Sequence, residues 1–312
     1  MPGKKRFRKS APPPAKQLTE LAHRGPHPVL TGSLGIVGID GQVFAPAAGT
    51  GLPALAFGHA WLADGRRYRD LLYHLASWGF VVAVPHGHSG VLPSDVGLAS
   101  ELRSALSMIA HAPLGDGGIT VDPERIGFAG HGFGAAAAAL AASPEVFAGQ
   151  QAPSVAGVVA IFPAPTTRIL LPAAAEVTAP GLVLAAPGAL DTVDANARPL
   201  AAAWGGDVVL RTVPGADSRK LLERRSWKSL IGINGADKKT HRQVRALMTG
   251  FLRYTVAADD HYAGFADPAA VIGKSPAVDP QVIPDGELDH ISALLGAKAR
   301  KRGRVARLLP VR

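Results

Sequence analysis

Between residues 34 and 256, short apolar runs of strand length alternate with longer segments whose apolar positions recur at helical spacing. The strand-like runs are 34–37, 42–45, 54–57, 80–84, 125–129, 157–162, 181–186 and 207–212; the helix-like segments are 67–77, 96–111, 133–142, 194–203 and 238–254. Each helical segment falls between two strands or after the last, so the pattern predicts a mostly parallel sheet of about eight strands flanked by helices and joined by right-handed crossovers. The first two runs could pair as a hairpin around Asp40-Gly41. In the first helix Tyr68, Leu71, Leu72 and Leu75 form an apolar stripe, and Gly79 stands where a left-handed stop is expected. The segment 135–142 is nearly all small residues, which suits a helix packed closely on the sheet.

Outside that span the pattern breaks down. Residues 1–30 read as a basic, Pro-rich tail, 31–258 as one α/β domain, and 259–312 as an irregular extension with a basic C-terminal tail. Leu288, Ile291, Leu295, Val305 and Leu309 would line one face of a basic helix there, weakened by Gly296 and Gly303.

A chain of 312 residues with 47% hydrophobic and 18% charged residues can bury a substantial core, which excludes disorder throughout. No apolar stretch approaches the roughly 18 residues of a membrane span. Ser10-Ala11-Pro12-Pro13-Pro14 falls where a signal peptide would carry its apolar core, so a cytoplasmic location is the expectation. The absence of cysteine removes disulfides, thiolate nucleophiles and cysteine metal ligands together. The net charge is +9, but Lys4, Lys5, Arg6, Arg8 and Lys9 supply five cations, and Lys298, Arg300, Lys301, Arg302, Arg304, Arg307 and Arg312 seven more. The body between is therefore slightly acidic. Such tails suit solvation or contact with an anionic polymer, a nucleic acid or a membrane surface, and the body shows no signature of base reading.

The densest chemical signal is Gly127-Phe128-Ala129-Gly130-His131-Gly132-Phe133-Gly134, an apolar strand entering a glycine-rich turn and then a helix. That is the setting of a nucleophile elbow, with Gly132 at the position of the reactive residue. Here the chain resembles the α/β-hydrolase superfamily, in particular its dienelactone-hydrolase and cutinase-like polyester-hydrolase branch. The resemblance rests on four blocks: Ala54-Leu55-Ala56-Phe57-Gly58-His59-Ala60-Trp61 with the following 68–82, the elbow, Gly188-Ala189-Leu190-Asp191, and Val213-Pro214-Gly215-Ala216-Asp217-Ser218. It implies an α/β-hydrolase fold with the nucleophile position at Gly132, the triad acid at Asp191 and the base position at Ser218. It also implies an oxyanion hole from the amides of Trp61 and Phe133, beside His131.

Of the three triad positions only Asp191 has the required chemistry, because a carboxylate cannot replace both a hydroxyl nucleophile and an imidazole base. The expectation is a pseudoenzyme without cofactor that binds a small acyl or carboxylate ligand, or serves as a scaffold. Two alternatives keep an active ester or acyl hydrolase. In one, Ser89 of Gly87-His88-Ser89-Gly90 is the nucleophile, with His241 as a substitute base. In the other, His59, His86 and His88, near Asp64 and Asp191, hold zinc that activates water. A further alternative is an anionic-surface or nucleic-acid binder acting through the tails. The long segment 218–236 is a candidate cover for the site.

Overall fold

The computed structural model describes residues 14–147, 149, 153–190, 196–216, 221–222 and 238–282. Nine strands among them form one sheet: β1 (Val29–Ser33), β2 (Gly41–Pro46), β3 (Gly49–Gly58), β4 (Val81–Pro85), β5 (Ile119–His131), β6 (Val155–Ile161), β7 (Gly181–Ala185), β8 (Val208–Thr212) and β9 (Ala277–Val278). Their spatial order is β1-β2-β4-β3-β5-β6-β7-β8-β9. Strands β3 to β8 are mutually parallel, while β2 runs against β4 and β9 against β8. The fold class is thus α/β with a mostly parallel sheet flanked by helices, as the alternation predicts.

The first predicted strand is displaced. Leu34–Val37 is a 3-10 turn closed by Gly38 at φ 80°, and the strand that pairs with β2 lies just upstream at Val29–Ser33. The apolar tetrad misleads because Ile36 is 91% exposed: its hydrophobicity is not used in the core. The hairpin survives with a longer connection.

Helices cover both faces. On one face lie α3 (Asp95–His111), α4 (Phe133–Ala142), α5 (Leu170–Ala175) and α6 (Ala197–Ala202); on the other lie α1 (Pro14–Leu21), α2 (Arg69–Ser77) and α7 (Lys238–Thr255). A strand buried on both sides sends alternate residues to different cores. Ala54, Ala56 and Ala83 therefore meet the α3–α4 face, and Leu55, Phe57, Val82 and Val84 meet the α2–α7 face. Small strand residues opposite the alanines of α4 bring that helix close.

Two segments read as tail or extension pack on the body. In α1, Gln17 and Leu21 are buried four residues apart, and the Gln17 amide donates to the His261 carbonyl. Residues 260–278 wrap the α7 side, with Tyr262, Phe265 and Ile272 buried, and end by adding β9 to the sheet. Arg211, at mid-strand in β8, is fully buried and holds this wrap by donating to the carbonyls of Ser275, Asp267 and Ala270 at 3.0, 2.7 and 3.1 Å. No helix among the described residues is long and apolar enough to cross a membrane.

Candidate functional site

The carboxyl ends of β4, β3 and β5 are adjacent, and His59, Trp61, His86, His88, Ser89, His131 and Gly132 lie at or just beyond them. The turn from β5 into α4 is sharp: Gly132 adopts φ 58°, ψ −114°, a combination that is costly for any residue with a Cβ. Its glycine neighbours serve another purpose. A Cβ on Gly130 would lie 2.0 Å from the Gly134 carbonyl oxygen, and one on Gly134 would lie 2.2 Å from the Gly58 carbonyl carbon. Gly58, Gly130 and Gly134 therefore interlock backbone to backbone, fixing where α4 begins. By contrast, a Cβ on Gly132 would meet nothing nearer than the Ala60 methyl at 3.4 Å. The position has room for a side chain and carries none.

Two hydrogen bonds and the start of the helix complete the turn. The Gly132 amide donates to Ile161 at 2.9 Å, and its carbonyl accepts from Ala164 at 3.1 Å. Phe133 opens α4, so its amide is one of the donors a helix N-terminus leaves without an intrahelical acceptor. Trp61 follows β3 on the loop that approaches Gly132 through Ala60. Its indole is 55% exposed and donates to the Val91 carbonyl at 3.3 Å. The Trp61 and Phe133 amides thus lie on the two backbone segments that meet at Gly132.

A buried network positions the Trp61 loop. The Ala60 amide donates to the Tyr68 hydroxyl at 3.0 Å, and that hydroxyl stands 2.8 Å from His131 Nδ1. His131 also packs edge-on against Phe162. Its role is to support the turn from beneath. Sequence periodicity assigned Tyr68 to the apolar stripe and gave no sign of this link.

The histidines considered for zinc lie at one end of the sheet, but their rings diverge. His59 is fully buried between two carbonyls, with Nε2 2.8 Å from Gly87 O and Nδ1 3.1 Å from Ala60 O. His86 Nδ1 is 3.5 Å from Asp40 Oδ1, and His88 Nε2 is 3.6 Å from Glu101 Oε1. Among the described residues no three His, Asp or Glu side chains are placed to hold a metal ion. Asp64 instead caps the turn before α2, accepting from the Arg66 amide at 3.0 Å.

Ser89 is exposed in the loop after β4, and no histidine is hydrogen-bonded to it among the described residues. His88 beside it has φ 55° and pairs with Glu101, whose carboxyl is pushed above its usual range by burial and pulled back by His88 and His59. Nothing in the residue pattern points to Glu101, since a glutamate on an amphipathic helix reads as solvated. Asp95 was hidden for the same reason: it is 3% exposed and accepts from the Thr167 hydroxyl and amide at 2.7 and 3.2 Å, tying the loop after β6 to α3. His241, the substitute base of the Ser89 alternative, is 7% exposed because that turn of α7 faces the core. Asp191 and Ser218 lie outside the described residues, as does the 218–236 segment apart from Leu221 and Leu222. The loops that lead to them leave the carboxyl ends of β7 and β8 at the same edge of the sheet.

No protein-family model matches this chain, and no curated protein matches it.

Proposed function

We propose that this chain is an α/β-hydrolase-fold protein of the dienelactone-hydrolase and cutinase-like kind, with a degenerate triad, that binds a small acyl or carboxylate ligand without cleaving it. The observation that carries the reading is Gly132: an elbow-like backbone at a strand-to-helix turn, open space where a side chain would project, and no nucleophilic atom. With Ser218 at the base position, neither proton abstraction nor attack has an agent, and removing the nucleophile of such a site costs about a millionfold in turnover. What remains is electrophilic: the Trp61 and Phe133 amides bind an oxygen that carries negative charge. The ligand needs no cofactor.

A fluorophosphonate probe should leave the full chain unlabelled, and p-nitrophenyl butyrate should hydrolyse no faster than in buffer. Butyrate should shift the Phe133 and Trp61 amide NMR signals saturably. Stoichiometric labelling of a serine, Ser89 included, would overturn the reading; so would butyrate leaving both amides unmoved.

A further inference from the structure

On the far side of β4 from the elbow, the described residues enclose two adjoining hollows of about 370 and 220 Å³ that share Thr31, Gln42 and Arg66. Together they form one groove between the β1–β2 hairpin and the start of α2. Its inner wall is His86, whose side chain is 5% exposed and whose two ring nitrogens are buried. The nearest carboxylate, Asp40, stands 3.5 Å from Nδ1 and is itself 80% exposed at the groove mouth. Nδ1 faces that carboxylate, whereas Nε2 has no hydrogen-bond partner among the described residues, and an unmet buried polar atom retains its desolvation cost. Burial lowers the His86 pKa, with Asp40 opposing, so the ring is neutral and offers one donor and one acceptor.

The other end of the groove is cationic. Arg66 and Arg69 both line it, three residues apart across the turn that opens α2. Arg66 pairs with the half-buried Asp64 carboxylate at 3.7 Å with 61% of its own side chain exposed, which is a weak tie. Two guanidiniums at one end suit a phosphate, for which Arg supplies paired, planar donors. A carboxylate and a neutral imidazole at the other end suit hydroxyl groups, which donate to Asp40 and exchange hydrogen bonds with His86.

We propose that this groove binds a small phosphate monoester bearing neighbouring hydroxyl groups, with the phosphate on Arg66 and Arg69 and the hydroxyls on His86 and Asp40. The site is separate from the elbow and does not depend on the reading proposed for it. Glycerol 3-phosphate added to the full chain should shift the His86 ring signals saturably. The double variant Arg66→Ala/Arg69→Ala should weaken that binding at least about tenfold, as expected for losing charge-assisted hydrogen bonds. Asp40→Asn should abolish the preference for glycerol 3-phosphate over inorganic phosphate. Measuring at His86 separates the groove from phosphate held by the basic tails. The proposal is overturned if His86 does not respond, if chloride at equal ionic strength shifts it equally, or if the double variant binds as tightly as the parent chain.

Discussion

At the elbow, three glycines hold the backbone against itself so tightly that no side chain fits at Gly58, Gly130 or Gly134, yet the central position presents nothing reactive. Across β4, the groove beside His86 is loosely enclosed and walled by a buried imidazole nitrogen, Nε2, that no described residue meets. The difference separates two kinds of information. Backbone shape at a strand-to-helix turn is enforced by close packing, whatever residue sits at its apex. Unmet polarity inside a fold is opposed by packing and solvation alike, so it points outward to something that binds.

The sharpest way to break the comparison is to add one methyl group. Gly130→Ala drives a Cβ into the Gly134 backbone and should cost more than about 4 kcal/mol, or prevent folding. Gly132→Ala has space and faces only backbone strain, costing about 1–3 kcal/mol. Urea denaturation of the two variants checks this. Equal losses would mean that the apex is as constrained as its flanks.

His74 gives the control for His86. It too is a buried imidazole, but it lies on the covered face of α2 beside the Leu21 backbone, and burial followed by Arg245 lowers its pKa from 6.5 to about 3. Between those values the unfolded chain binds a proton that the folded chain refuses. The stabilisation from keeping the ring neutral is therefore complete above pH 6.5 and is lost as the pH falls toward 3, by up to about 4 kcal/mol. His74→Leu should remove that component, and urea midpoints at pH 7 and pH 4 should lie closer together in the variant than in the parent chain.

An effect of the same size as that of Gly132→Ala is expected at Tyr68. Tyr68→Phe removes the acceptor of the Ala60 amide and the partner of His131 Nδ1, which should cost about 1–3 kcal/mol. Hydrogen exchange at the Ala60 amide should accelerate in the variant. Unchanged exchange would show that the loop beside Gly132 holds its place without the phenol.

Much of the frame was legible in the sequence. The parallel strands could be found because strands buried on both faces are continuous apolar runs, and the interlocking glycines because only glycine permits such contact. The edges were not. In β1 the residues after Val29 are mostly exposed, and β9 is two residues long, so neither carries a periodic signal. At the site, the elbow was visible as a string of glycines, whereas Tyr68, Asp95 and Glu101 were not, because their roles depend on partners tens of residues away. Arg211 was hidden for the same reason: an arginine between Leu210 and Thr212 reads as facing water, and its acceptors are carbonyls beyond residue 266.

That arginine determines where this polypeptide can be cut. Ending the chain after residue 258 would remove all three carbonyl oxygens that accept from the Arg211 guanidinium and leave it stranded in the dry interior, a penalty of several kcal/mol. A truncation for biophysical work therefore belongs beyond Val282, because the carbonyls of Asp279 and Val282 accept in the same way from the buried Arg198.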